Sequence, residues 1–202
     1  MSMSQEGKFI TIYGINNIGK STQSRILVEN LTRAGYKAKH IKYPVYDLAP
    51  TGHFLDSVMR NPDGQKISED ELQLWFVMNR YQFEPELKKL LSEGYIIIAE
   101  DYSGTGIAWG TAKGLEQNWL EEANKYLLKE DFSILFEGKR NLIAREDNHV
   151  HEQNDLLIEK CTKVFLELAD KYSWQKFQLQ EKIEDSAKAL LELVLNYLEK
   201  AQ

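Results

Sequence analysis

Two kinds of apolar pattern alternate along this chain. Lys8–Tyr13 (KFITIY) and Tyr95–Ala99 (YIIIA) are short apolar runs with almost no polar interruption. Such runs suit strands buried on both faces, as in a parallel sheet covered by helices. Lys37–Tyr43, stopped by Pro44, Asp131–Phe136 and Trp174–Leu179 predict three more strands. Between them the period is helical. Lys20–Ala34 places Ile26, Leu27 and Leu31 on one face and ends at Gly35. Thr51–Arg60 predicts a short helix, and Asn61-Pro62-Asp63-Gly64 a turn. Ser68 opens a long helix with Glu71 as its capping-box partner; it runs to about Ser92, with a bend expected at Pro85 and a stop at Gly94. Thr105–Leu127 reads as mostly helical, Asn154 or Asp155 caps a helix to about Tyr172, and Glu184–Lys200 is amphipathic.

Strands alternating with helices predict one α/β domain over residues 1–202: three layers, α/β/α, around a five-stranded parallel sheet. The polar stretch Arg140–Asp155 reads as a mobile connecting segment. A length of 202 residues suits a single domain with a proper core. The net charge of −6 argues against general affinity for nucleic acid or an anionic membrane, both of which need a basic face. Only six arginines are available for any phosphate clamp: Arg25, Arg33, Arg60, Arg80, Arg140 and Arg145. Cys161 is the sole cysteine, so no internal disulfide forms, which fits a reducing cytoplasm; its place in an apolar helical pattern assigns it to packing. No signal-peptide pattern opens the chain, and no apolar run nears the ~20 residues that a bilayer requires.

The strongest chemical signal is Gly14-Ile15-Asn16-Asn17-Ile18-Gly19-Lys20-Ser21, which follows a strand and opens a helix. Phosphate oxygens need several N–H donors converging on one point. Gly14 and Gly19 let the backbone curl so that consecutive amides face inward, and the helix N-terminus adds its dipole. A lysine at position 20 can reach β- and γ-phosphates, and a serine at 21 can ligate Mg²⁺. A second cluster, Lys42-Tyr43-Pro44, lies at a strand's carboxyl end, where ligands of open parallel sheets bind; Lys42 reads either as an acceptor-phosphate ligand or as a solvated lysine. Phe76 and Arg80 share one helix face, as a base-stacking ring with a carbonyl-directed donor or as a core aromatic with a surface ion pair. Glu100-Asp101 follows the third strand, where carboxylates suit Mg²⁺ and its water shell or form a simple acidic strand end.

In order and spacing, FITIYGINNIGKSTQ, KYPVYDLAPTGHFLD, LWFVMNRYQFEPELKKLLSEG and EDYSGTGIAWGTAK resemble the thymidylate kinase family, from Lys8 to about Lys113 and more faintly beyond. The resemblance implies phosphorylation of dTMP to dTDP by ATP with Mg²⁺, in the cytoplasm, by a homodimer. It assigns ATP to Gly14, Asn17, Gly19, Lys20, Ser21 and Thr22, with Arg140 in a lid over residues 140–155. It assigns dTMP to Asn16, Lys42, Phe76, Arg80, Thr105 and Trp109: Phe76 stacks on thymine, Arg80 reads its O4, Lys42 replaces an arginine on the acceptor phosphate, and Trp109 crowds the sugar. Ser21 and Glu100 are the metal residues; Lys20, Glu100 and Arg145 are the catalytic ones.

The chain departs from that pattern. Tyr13 replaces a glutamate before the loop, Asn16 replaces the loop's acidic residue, and the loop has no arginine. Where the family has Asp-Arg, the chain reads Glu100-Asp101 in the ungapped register, or Asp101-Tyr102 if one residue is missing; either way a phosphate-directed cation is missing. Losing such an arginine in related phosphate-loop enzymes costs roughly 10³-fold or more in rate. A deoxynucleoside kinase with Glu100 as base, and a nucleotide-binding homologue with weakened catalysis, are the competing readings. In a working thymidylate kinase, Asp101 is expected to turn away from the phosphates, with Arg145 supplying the cation and Arg140 in reserve. Arg145→Ala should then lower kcat far more than it raises KM for ATP, the mark of an interaction made mainly in the transition state. Wild-type kcat in both Arg145→Ala and Arg140→Ala, with dTMP still phosphorylated, would remove that assignment.

Overall fold

The computed structural model describes residues 7–139 and 155–200. Five strands form one parallel sheet: β1 (Lys8–Tyr13), β2 (Ala38–Lys42), β3 (Ile96–Glu100), β4 (Phe132–Glu137) and β5 (Gln175–Gln178), in the order β2-β3-β1-β4-β5. The unbroken apolar runs supply its centre. Phe9, Ile10 and Ile12 of β1 and Ile96, Ile97 and Ile98 of β3 are fully buried, each such side chain contributing about 1.5–3 kcal/mol of transfer free energy.

The helices are α1 (Lys20–Arg33), α2 (Thr51–Met59), α3 (Glu69–Ser92), α4 (Ser103–Ala112), α5 (Gln117–Asn124), α6 (Asp155–Lys171) and α7 (Ile183–Lys200). Ser68 caps α3 by accepting from the Glu71 N–H, as the capping box requires. Pro85 lies inside α3 without ending it. The stretch expected to be one helix from Thr105 to Leu127 is two, α4 and α5, because Gly114 takes a φ of +100° between them. β3 extends one residue past the expected end, so Glu100 belongs to the strand. Most of the 140–155 segment lies outside the described residues.

The chain leaves β1 through α1 to β2 on one side and leaves β3 to reach β4 on the other side of β1. The crevice of an open α/β sheet lies where the connections diverge, here at the carboxyl ends of β1 and β3. One buried side chain fastens the long β2–α2 connection beside that crevice. Asn79 of α3 accepts from the Val45 N–H (2.8 Å) and donates to the Val45 carbonyl and to Thr51 Oγ1 (both 3.0 Å). Asn79→Ala strands buried partners of these three bonds, so it should lower stability by about 1–3 kcal/mol. Urea unfolding checks this: an unchanged midpoint would show that the loop is held elsewhere.

Candidate active site

At the end of β1, Gly14 and Gly19 have φ of +143° and +109°, and Asn17 joins them at +61°. Both glycines therefore sit in backbone conformations that L side chains rarely adopt. Gly19 is the N-cap of α1 and provides no side chain to cap it, so the first-turn N–H groups remain available to an anion. Lys20, only 5% exposed, folds its ammonium back over the loop. It donates to the carbonyls of Gly14 (2.8 Å) and Ile15 (3.0 Å) and pairs with Asp101 Oδ1 at 3.4 Å.

Glu100 is the hub of the next layer. The β2–β3 register sets Lys42 level with it. Lys42 Nζ lies 2.8 Å from Glu100 Oε1, Ser21 Oγ donates to the same oxygen at 2.7 Å, and His40 Nε2 lies 3.2 Å from Oε2. Burial alone would raise the carboxyl's pKa, but the His40 hydrogen bond, the Lys42 ammonium and the Ser21 hydroxyl outweigh it and bring it down to about 2. Lys42 also donates to Ser21 Oγ (3.2 Å), yet stays half exposed at the cavity mouth. Burial opposes its charge, and the facing Glu100 carboxylate more than compensates, raising its pKa.

Asp101 has a positive φ of 64° and accepts from Thr105 Oγ1 at 3.1 Å. Burial and the adjacent Glu100 raise its carboxyl pKa despite the Lys20 ammonium. The expectation that Asp101 faces away from the phosphate loop is corrected: its carboxylate meets the loop's lysine. In place of the missing arginine stands an anion that pairs with the loop's lysine.

These groups line a cavity of about 560 Å³ running from the loop to α3 and α4. Asn16, Asn17, Gly19, Lys20, Ser21, Thr22, Lys42, Phe76, Arg80, Glu100, Thr105 and Trp109 all line it. Gly14 contributes through its carbonyl beneath Lys20. Arg140 and Arg145 lie outside the described residues. Arg80 is no surface ion-pair residue: it is 4% exposed, its Nη1 donates to Asn124 Oδ1 at 3.0 Å, and its Nε has no partner among the described residues. Burial lowers its pKa, opposed by the nearby tyrosines Tyr102, Tyr13 and Tyr43.

Behind the loop, Tyr13 stacks on Trp174 (4.2 Å between ring centres) and donates its hydroxyl to Glu130, which also accepts from Ser103 Oγ at 3.2 Å. Tyr13 is thereby a packing and anchoring residue. Cys161 is buried on α6, and burial pushes its thiol pKa up, so it is packing as expected.

Sequence reasoning missed Gln73, His40 and the direction of Asp101. Gln73 had a legible signal, since it lies three and seven residues before Phe76 and Arg80 and shares their helix face. Ser21 and Glu100 supply adjacent hydroxyl and carboxylate oxygens, a donor set that fits Mg²⁺ held jointly with substrate phosphates once Lys42 Nζ, which contacts both oxygens here, moves away to a phosphate. Among the described residues no group of three or more His, Cys, Asp or Glu could hold a metal alone, and no helix is long and apolar enough to cross a membrane.

The family model for thymidylate kinase matches residues 12–190. The human thymidylate kinase is 27% identical over 167 residues, covering 81% of this chain and 77% of its own length. That of Plasmodium falciparum is 26% identical over 184 residues, covering 90% and 86%. The solved structure of thymidylate kinase from Candida albicans superposes with a TM-score of 0.80 at 25% identity, covering 95% of this chain and 92% of that one.

The Lys20–Asp101 pair sets a pH dependence. Ionised Asp101 holds Lys20 and repels an incoming phosphate; protonated Asp101 does neither. Its pKa is raised, so affinity for ATP should increase as pH falls towards that raised value. Asp101→Asn should tighten ATP three- to tenfold at neutral pH, about 1 kcal/mol for a partly buried pair, and flatten the pH profile relative to wild type. Calorimetric titration checks both; equal affinities and parallel profiles would show that the pair does not compete with ATP.

Proposed function

The chain belongs to the thymidylate kinase family, and from that premise we propose how its own residues transfer the γ-phosphoryl group of ATP to dTMP. The activity is that of a phosphotransferase with a phosphate acceptor. The donor phosphates lie on the loop amides from Gly14 to Thr22, with Lys20 bridging the β- and γ-phosphates and Arg140 on the ATP side. The acceptor phosphate lies on Lys42, with Asn16 and Thr105 beside it. Thymine stacks on Phe76, Arg80 donates to its O4, and Trp109 crowds the sugar edge. Mg²⁺ on Ser21 and Glu100 would neutralise charge on the donor phosphates.

An oxygen of the dTMP phosphate attacks the γ-phosphorus as the bond to the ADP oxygen breaks. ADP leaves with that electron pair, giving ADP and dTDP. The attacking oxygen is already an anion, so no base is required. Lys20 and Arg145 hold the transferring group in line, and Asp101 must release Lys20 for this. Glu100 is badly suited to be a base, because a pKa of about 2 lies far below the working pH. That counts against a deoxynucleoside kinase, whose neutral hydroxyl acceptor needs one.

The observation that carries the base assignment is Arg80. Its guanidinium is buried at the cavity wall on the face shared with Phe76, and its Nη1 hydrogen bond goes to the neutral Asn124 amide. Leu74, Met78 and Tyr81 form an exposed apolar stripe on α3 at 44%, 50% and 39% exposure, which supports a homodimer formed through that helix. The lone free thiol supports a cytoplasmic setting. We assign residues 1–202 to one domain.

A coupled ADP-release assay with dTMP, dUMP, dCMP and thymidine tests this reading. Arg80 donates but cannot accept from an amino group, so dTMP and dUMP should exceed dCMP by the ~1–3 kcal/mol that a mismatched buried polar group costs. Equal kcat/KM for dCMP and dTMP would contradict the role of Arg80. Turnover of thymidine without dTMP would restore the deoxynucleoside kinase.

A further inference from the structure

We propose that Gln73 reads the N3–H of the pyrimidine as a hydrogen-bond acceptor, locked in that role by Glu69 and Lys113. The inference rests on the reading of this cavity as the dTMP site. Gln73 is buried, lines the cavity, and shares the α3 face of Phe76 and Arg80. A glutamine amide can present either its carbonyl or its NH₂, and the surrounding hydrogen bonds decide which. Here Nε2 donates to Glu69 Oε1 at 2.9 Å. An ionised carboxylate only accepts, so the amide cannot turn over without placing two oxygens against each other. Glu69 is itself fixed, because Lys113 Nζ lies 2.6 Å from its other oxygen, with both side chains largely buried. The Gln73 oxygen is what remains to face the nucleotide.

That oxygen and the Arg80 donor converge. A Cβ on Gly106 would stand 3.0 Å from Gln73 Oε1 and 2.9 Å from Arg80 Nη2. The two groups therefore flank the same point of α4, and only a glycine there leaves room for both. An acceptor beside a donor is the complement of the imide edge of thymine or uracil, where N3–H donates and O4 accepts. Cytosine inverts both positions: N3 accepts and the 4-amino group donates. Arg80 alone tests one position of the edge; Gln73 tests the second, and the carboxylate behind it stops the amide from adapting. A site built to hydrogen-bond its substrate rejects the mismatched analogue because its own buried groups are left unpaired.

Calorimetric binding of dTMP and dCMP tests this without reliance on turnover. Wild type should favour dTMP. Gln73→Met should weaken dTMP roughly 10- to 100-fold, the scale for loss of one buried hydrogen bond, and leave dCMP unchanged or tighter. Glu69→Gln keeps the side-chain volume but can donate to the Gln73 oxygen, so it allows the amide to turn; the dTMP-to-dCMP affinity ratio should fall at least fivefold. A purely structural role would weaken both nucleotides by one factor. Equal weakening in Gln73→Met, or a wild-type ratio in Glu69→Gln, overturns the proposal; the second variant decides if the first does not fold. Failure of the wild-type protein to bind dTMP would instead overturn the underlying reading, before any variant is made.

Discussion

The cavity mouth depends on one buried carboxylate. Glu100 ends β3 almost without exposure, and groups from α1 and β2 converge on it: the Ser21 hydroxyl, the Lys42 ammonium and the His40 ring. Burying a lone carboxylate costs several kcal/mol, and the arrangement persists because each oxygen has a partner. The same bonds fix where the phosphate loop's serine stands relative to β2. The strand register makes this geometry unavoidable, since parallel pairing sets Lys42 level with Glu100. Sheet pairing and site electrostatics are therefore one constraint.

Beside that satisfied charge lie two that are less well satisfied. Asp101 is partly buried next to Glu100 and is held by Lys20 and Thr105, and Arg80 is buried among tyrosines with one nitrogen unpartnered. Unpaired buried polar groups in a folded protein call for an explanation. For Arg80, although Nε itself stays unpartnered among the described residues, the proposed contact with the base would supply a reason for the buried guanidinium. For Asp101 the phosphate loop's own lysine does, which couples the donor half of the cavity to a residue that carries the opposite charge in the family's pattern.

Much of this was legible in the sequence, and for stated reasons. The unbroken run IIIA and the run KFITIY marked the doubly covered strands, and the glycine spacing around Lys20 marked the phosphate loop. Phe76 and Arg80 could be placed on one face because helical period alone decides that. What was not legible depended on backbone twist and on partners distant in sequence. Asp101 takes a positive φ and pairs with Lys20, and the general preference of aspartate for positive φ does not single out this one among the chain's aspartates. Gln73 carried the right spacing, but its role depends on which way an amide points, which is set by Glu69 and by Lys113, 40 residues away. The break between α4 and α5 was written in Gly114, whose meaning competes with the helical pattern on either side.

The Asn79 clasp has a thermodynamic consequence for the acceptor nucleotide. It joins the connection after β2 to the helix that carries Gln73, Phe76 and Arg80. Fixing one residue's backbone costs about 1–2 kcal/mol in conformational entropy. Because the clasp is made within the protein, that entropy is lost on folding for these residues and is not lost again when a nucleotide enters. The acceptor half is thus preorganised, and affinity there reflects contacts more than ordering. In the donor half as proposed, by contrast, the Lys20–Asp101 ion pair would have to break before Lys20 could serve, and affinity there would be an exchange between an internal anion and an external one.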